Sequence, residues 1–392
     1  ELRAVFDGAV ADRCQADAPL GLLLSGGVDS GAVAASAARA GSSLPAYTLR
    51  AAAGTRDESA AAARLADRYG HPSRVVSVDG AMLAERFRDA MTDYDEPIWR
   101  SGPIGFDLLA ERASLDGVKG LVTGEGADEL FCGYDVFKHT LIRRAIGRQP
   151  MSAARAQMFD FVDSTSEMRR GGGAPAAMAP FDHAPGDVVY SHLPRWRTAA
   201  ARTWALLSQE VRQDHAVGSY EDHVRQQYGT ALESLSPLNR ARHIELNTMF
   251  MPFLISIQAD RPFLRHGVEG RHPFLSRGVA DLAIRTDPRT MVTARHDKIP
   301  LRRALAPALG ADAHRAPKLA YEPGWVALRD ATTFHDLCDA TLSRRALGES
   351  SMFDPDRVGR LVKMALASER VRLGTFGTLL QVLSIQVLVE RG

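Results

Sequence analysis

LGLLLSGGVDSGAVAAS, residues 20–36, runs from leucines into two glycines, two hydroxyls and a carboxylate, then into a row of small helix formers. Its reading decides the fold: a buried strand, a tight turn, and a helix that starts at the strand's tip. Gly26 and Gly27 let the main chain approach a ligand and point successive N–H groups outward, while the helix behind them presents its positive end to an anion. That makes a phosphate cradle. Ser25 and Ser30 can donate to phosphate oxygens, and Asp29, a poor neighbour for phosphate on its own, fits if Mg2+ lies between the two. The pattern is neither GxxxxGK[ST], since no lysine follows the glycines to grip a γ-phosphate, nor GxGxxG. Standing alone, it would also suit a Ser-Gly turn in which a serine caps the helix.

Outward from this stretch, four short apolar runs, GLLL (21–24), AYTL (46–49), RVVSV (74–78) and GLVT (120–123), alternate with helix-like segments at about 31–40, 57–69, 81–92 and 103–116. Strands alternating with helices at this spacing predict an α/β fold on a parallel, doubly wound sheet. Asp57 is placed to cap DESAAAARLADRYG, Gly70 to end it, and Pro103 to open a helix. Ligands of such sheets bind beyond the carboxyl ends of the strands, where the glycine-rich pieces fall. After about residue 150 the texture changes. RRGGGAPAAMAP (169–180) reads as a loop, the stretches 198–213 and 220–234 are amphipathic, and the apolar MFMPFLISI (249–257) leads into ADRPFLRHGVEGRHPFL (259–275). The expected organisation is a core domain over 1–145 and a mostly helical region over 146–392.

LVTGEGADELFCGY (121–134) is again a strand running into glycines, here flanking a carboxylate. If the two strands are neighbours, Glu125 and Asp128 meet the first loop, one to hold metal and the other to handle a proton. In isolation an acidic turn capping a helix would look the same.

Together the two loops resemble the SGG-hydrophobic-DS loop and the GEG-small-DE loop of the asparagine synthetase family, in its ATP pyrophosphatase (PP-loop) synthetase domain, asparagine synthetase B-like and related to the β-lactam synthetases. ELRAVFDGAVADR (1–13), DES (57–59), DEP (95–97), DRPFLRHGVEGRHPFL (260–275) and KIPLRRAL (298–305) follow in family order. The resemblance implies an adenine nucleotide alpha hydrolase-like fold and two-step chemistry. A substrate carboxylate attacks the α-phosphorus of ATP, giving an acyl-adenylate and pyrophosphate; an amine, usually ammonia, then attacks the acyl carbon and expels AMP. The missing γ-phosphate lysine follows, because the loop must hold the pyrophosphate that leaves.

Carried over by position, Ser25, Gly26, Gly27, Asp29, Ser30 and Gly124 contact ATP or pyrophosphate, Asp29 and Asp128 hold Mg2+, and Glu125 contacts the reacting acyl group. Leu24 and Leu49 border the adenine, and Lys318, in HRAPKLAYEPG, matches the family's cation over the α-phosphorus. Lysine occurs only at 119, 138, 298, 318 and 363, arginine making up the rest of the 48 basic residues, so a lysine at 318 is informative. Lys298 is the other candidate for that cation, although its KIPLR setting reads more as the start of a structural helix.

Where family members carry acids before the Asp-Arg pair, this chain has Pro252-Phe253-Leu254-Ile255-Ser256, and the family's PFLD is PFLS at Ser276. An acceptor wall without acids implies a carboxylate other than aspartate, on a specialised metabolite or a peptide. Asparagine synthesis proper is the alternative within the class, and a catalytically silent binding subunit the alternative outside it. Glu125, where β-lactam synthetases typically carry tyrosine, favours an external amine. Cys14 falls inside the first predicted helix and cannot serve as a glutaminase nucleophile. Ammonia is therefore expected from a removed glutaminase domain, a partner subunit or solution, unless another amine replaces it. Glu269, Arg271 and His272 read equally as an ion-pair cluster and as functional groups, and His266 and His272 lack a metal-ligand spacing.

The totals agree. With 392 residues, 45% hydrophobic and 24% charged, and a net charge of +1, the chain suits a two-domain globular protein without a nucleic-acid or anionic-membrane footprint. No apolar run is expected to approach the roughly 20 residues of a membrane helix, and no secretory segment opens the chain. Cys14, Cys132 and Cys338, odd in number and without a CxxC pair, argue against disulfides or zinc and for a reducing cytoplasm. They also count against a tRNA-thiolating enzyme of the same loop class. A homodimer stays open.

Overall fold

The computed structural model describes residues 1–51, 57–149, 151–164, 186–214, 219–315, 321–322, 324–366 and 373–391. They divide into two compact units that interleave along the chain. One comprises 1–78, 102–137 and 245–324; the other 79–101, 138–244 and 325–392. The single boundary expected at 145 is thus replaced by several crossings, and the segment 245–324 packs with the amino-terminal core. Composition could not show this, because chain texture reports local content and not which elements share a core.

The first unit is built on a five-stranded, wholly parallel sheet of order β3-β2-β1-β4-β5, with β1 at Leu20–Leu23, β2 at Ala46–Ala51, β3 at Ser73–Val78, β4 at Gly120–Val122 and β5 at Glu269–Arg271. The α/β, doubly wound expectation holds. All four residues of β1 are buried, as a central parallel strand requires when helices cover both faces. The helix α1 (Leu2–Arg13) packs Phe6 and Val10 into a core shared with α2 (Val28–Arg39), whose alanines and glycine let neighbours approach closely. In α3 (Ser59–Tyr69), Asp57 accepts from the Ser59 nitrogen at 2.8 Å, and Gly70 closes the helix at a φ of 69°. A second core on the other side of the sheet joins Tyr47, Phe106, Leu109, Leu121 and Phe263.

The fifth strand was not anticipated. Its three residues, Glu269-Gly270-Arg271, have no apolar alternation, and their place is set by parallel pairing with Gly120, Leu121 and Val122. Arg271 anchors this edge by donating to the carbonyls of Arg13 and Gln15, at 3.0 and 2.8 Å. The apolar segment before it winds into a wide π-type helix, Leu246–Asp260, with Pro252 inside.

Every described element of the second unit is helical, apart from one isolated bridge between Leu207 and Phe353. Phe87, Trp325, Phe334 and Phe376 form an aromatic cluster there, and a Cβ at Gly80 would collide with the Ala327 carbonyl oxygen at 2.1 Å. One helix, Leu373–Arg391, is long and apolar enough to cross a membrane by length and composition, which corrects the expectation that no run approaches that length. Within the unit it buries Phe376, Leu379, Leu380, Val382 and Leu383, and Ser384 bonds both backbone polar groups of Ile98 at 3.0 Å.

Candidate active site

The strand order places the site. The order in which strands are added reverses between the parallel neighbours β1 and β4, so their carboxyl ends open the crevice in which doubly wound sheets bind ligands. The Ser25–Gly27 turn leaves β1 and the Gly124–Gly126 turn leaves β4, so both loops flank that crevice.

Leu24 is buried, with its nitrogen donating to the Tyr47 carbonyl at 3.0 Å and its carbonyl accepting from Thr48 Oγ1 at 2.6 Å. That carbonyl keeps one lone pair for a further donor. Leu49 lies farther along β2, half-buried beside the core of Tyr47 and Phe106. Gly26 takes a φ of 80°, and a Cβ there would stand 2.8 Å from the Ala61 Cβ, so glycine is required both by the backbone and by the close approach of α3. Ser25 and Ser30 bond each other, Oγ to Oγ at 3.1 Å, and the Ser25 nitrogen donates to Ser30 Oγ at 3.1 Å. Gly27 opens α2 with no side chain capping it, so the first turn keeps N–H groups directed at the crevice. The strand, glycine turn and uncapped helix start expected from the sequence are thus formed.

Asp29 in the first turn of α2 and Asp128 in the short helix Ala127–Phe131 converge on one cation, the ammonium of Lys298. Lys298 Nζ donates to Asp29 Oδ1 at 2.9 Å, Asp29 Oδ2 at 2.7 Å and Asp128 Oδ1 at 2.8 Å. Lys298 is 2% exposed and holds a φ of 47°, in the left-handed region unusual for a side chain of its size. The sequence contained the signal, a rare lysine before a proline-led helix, but its reading as a helix start undervalued it.

The second loop is closely fitted. Gly126 takes a φ of 95° against Leu275, and Gly133 leaves space for Asp128, whose Oδ1 would lie 1.9 Å from a Cβ there. Thr123, just past β4, accepts at Oγ1 from the Glu125 nitrogen at 3.3 Å, and the same oxygen lies 2.8 Å from His272 Nδ1. His272 Nε2 in turn stands 3.6 Å from Asp260 Oδ1. His272 thus contacts the hydroxyl that supports the Glu125 turn.

Two further buried groups were not singled out from the sequence. Glu129 is 1% exposed, accepts from the Tyr134 hydroxyl at 2.7 Å and leaves Oε2 without a partner. Burial and the neighbouring charge of Asp128 push its carboxyl well above the usual glutamate range. The Tyr321 hydroxyl is also buried and has no partner among the described residues, and burial together with the charges of Glu58 and Glu125 drives its pKa up. Lys318 lies outside the described residues.

Two surface cavities lie elsewhere. One of about 470 Å³ is lined by Asp12, Arg13, Glu269 and Arg271, and one of about 370 Å³ by Pro19, Leu20, Pro45 and Asp116. Neither includes a residue of the two glycine loops.

The family model described as asparagine synthase matches residues 1–386. The chain belongs to the asparagine synthase family. Within it, the fold is of the PP-loop type, an α/β core on a five-stranded parallel sheet. Among curated proteins the chain is similar to "Amidase chry2" of Gibberella zeae, 25% identical over 348 residues, covering 80% of this chain and 50% of that protein. It is similar to a "Putative asparagine synthetase [glutamine-hydrolyzing]" of Mycobacterium tuberculosis, 28% identical over 323 residues, covering 82% and 47%. A shorter match, 32% identical over 168 residues, relates it to "Asparagine synthetase [glutamine-hydrolyzing] 2" of Lotus japonicus, covering 40% and 28%. The chain thus spans about half the length, or less, of these curated relatives.

The site also fits the metal that the family pattern implies. Among the described residues no three His, Cys, Asp or Glu side chains cluster as a metal cage. Mg2+ does not need one: it is held by one or two carboxylates together with substrate phosphates. Asp29 and Asp128 supply two carboxylates that already share a cation.

Proposed function

We propose that this chain is the synthetase portion of an ATP-dependent, AMP-forming amide synthetase that activates a carboxylate by adenylation and passes it to ammonia or another amine. The observation that carries the reading is the convergence of Asp29 and Asp128 on one cation beside an uncapped, glycine-opened helix at the strand-order reversal. A polyphosphate needs those features together: N–H donors, a helix N-terminus and carboxylates to seat a divalent ion.

In the first step the substrate's carboxylate oxygen bonds to the α-phosphorus, and the bond to the bridging oxygen breaks. Ser25, Gly26, Gly27 and Ser30 receive the pyrophosphate that departs. Mg2+, held by Asp29 and Asp128, would neutralise charge on the phosphates. We assign to Lys318 the cation over the α-phosphorus, and to Leu24 and Leu49 the border of the adenine. In the second step the amine nitrogen bonds to the acyl carbon, AMP leaves, and Glu125 orients the acyl group and takes up the proton the amine loses.

The acceptor is proposed to be a carboxylate other than aspartate, on a specialised metabolite or peptide. Supporting this, Phe253, Leu254 and Ile255 are buried apolar side chains in the segment where family members carry acids. The relatives bear both "Amidase" and "asparagine synthetase" names, so aspartate is the competing acceptor. A cytoplasmic setting, with its ATP supply, goes with this chemistry.

ATP–pyrophosphate exchange over a panel of acids tests the reading. Exchange dependent on one non-aspartate acid supports it, exchange with aspartate alone moves the assignment to asparagine synthesis, and no exchange with any acid leaves the silent subunit.

A further inference from the structure

The ammonium of Lys298 occupies the point that both carboxylates face. Its three protons are matched by three carboxylate oxygens within 2.7 to 2.9 Å, on residues 99 positions apart in the chain. A helix-starting lysine needs no such burial, and the backbone around Lys298 is built to enforce it. Ile299 donates to the Met291 carbonyl at 2.9 Å, Arg302 donates from its backbone to the Lys298 carbonyl at 2.9 Å, and its guanidinium pairs with Asp297 at 2.7 Å. These bonds hold a left-handed lysine that the surroundings must over-determine to persist.

We propose that Lys298 is a resident counter-ion that keeps Asp29 and Asp128 together and yields them to a divalent ion only when that ion arrives with a polyphosphate, so that metal entry is coupled to nucleotide entry. This rests on the reading that the two aspartates take metal. Mg2+ demands oxygens at roughly 2.0–2.1 Å, and an ammonium bonded to the same oxygens blocks that approach. A bare ion would have to expel a buried ammonium and leave it without an anion, which is unfavourable in a poorly solvated site. An ion that brings phosphate oxygens supplies the anion itself. Lys298 is thus a positioning residue for the carboxylates, and its presence sets the order of binding.

The test is direct Mn2+ binding, followed by electron paramagnetic resonance on the whole chain with and without a non-hydrolysable ATP analogue. Nucleotide-free wild type should bind Mn2+ weakly and Lys298→Met at least about tenfold more tightly, because the competing charge is gone. Equal affinities in the two proteins overturn the proposal. Should Lys298→Met not fold, wild type decides alone: tightening of at least about tenfold with the analogue, beyond the analogue's own affinity for Mn2+, supports coupling, and none overturns it. In the double variant Asp29→Asn, Lys298→Met the gain should vanish. A gain that survives there places the ion elsewhere, overturning the metal assignment and the inference with it.

Discussion

Gly124 backs directly onto Asp29: a Cβ at Gly124 would stand 3.1 Å from the Asp29 Cβ and 2.9 Å from the Ser30 nitrogen. The two loops therefore touch main chain to main chain, and their separation is set by the absence of a single methyl group. Each loop alone is an ordinary glycine turn. Their contact is what brings one aspartate from each to a common cation.

Gly124→Ala should accordingly push the loops apart by a few tenths of an ångström. The expected cost is about 1–3 kcal/mol of stability, typical of overpacking a tight site. Exchange activity should fall by about tenfold or more, since misplaced reacting groups lose rate steeply. Urea unfolding and pyrophosphate exchange measure the two. Exchange at the wild-type rate in a stable variant would show that the loop separation is not critical.

A pH-dependent contribution comes from α1. Asp7 accepts from Ser36 Oγ at 2.7 Å and from Arg39 Nε at 3.1 Å, tying α1 to α2. Burial would raise its pKa, but the bonds from Arg39 and Ser36 outweigh it and hold the carboxyl below the usual range. A carboxylate with a depressed folded pKa stabilises above its unfolded value, and that stabilisation is lost as pH falls through the folded one. Asp7→Asn should therefore lose on the order of 0.5–1 kcal/mol near pH 7, discounted for partial exposure. The gap from wild type should close as pH drops below roughly 4, where the unfolded carboxyl protonates. Urea titrations at pH 7 and pH 3 check it. A gap that does not narrow between pH 7 and pH 3 would assign the effect to packing.

The elements nearest the opening motif were legible because their signals are local. A strand buried on both faces must be apolar throughout, and a turn with a φ of 80° at Gly26 must be glycine, so residues 20–30 announced themselves. The same holds for Gly70 and for the Glu125 and Asp128 loop. Thr123 and His272 carry no such local mark, and the rarity of lysine marks Lys298 without showing its partners. Their roles arise from contacts spanning 149 to 269 positions, which no periodicity encodes. β5 escaped for the same reason. Glu129 and Tyr134 lie within the quoted second loop, and only the burial of Glu129 and its bond from Tyr134 show how they join its carboxylates.

These carboxylates predict a separation of stability from function. Asp29 and Asp128 share the ammonium of Lys298, and the buried Glu129 feels the charges of Asp128 and Glu125. Removing one negative charge leaves Lys298 paired and relieves repulsion, whereas removing the lysine strands the acids. Asp29→Asn should keep a thermal midpoint no lower than wild type while losing pyrophosphate exchange. Lys298→Met should lose about 3–5 kcal/mol, the cost of breaking a buried pair from one side. Calorimetry beside the exchange assay reads both, and an Asp29→Asn protein that melts well below wild type would make Asp29 a structural residue first.

Thr123 offers the finest test of how the Glu125 turn is held. Its hydroxyl is buried and serves two neighbours, accepting from the Glu125 nitrogen and meeting His272 Nδ1. Thr123→Val preserves shape and removes that oxygen, leaving a backbone donor and an imidazole nitrogen unmatched, at a cost of about 1–3 kcal/mol. Thr123→Ser restores the oxygen and gives up only a methyl. If the hydroxyl positions Glu125, the valine variant should keep its KM for ATP, since the cradle on the first loop is untouched, and lose kcat for amide formation by about tenfold or more. The serine variant should recover most of that rate. A purely structural role predicts the reverse pattern: rate following stability in both variants, with KM for ATP rising alongside. Steady-state kinetics on the two proteins, each with its urea midpoint, separates these outcomes, and a valine variant with full kcat would free the Glu125 turn from any dependence on Thr123 and His272.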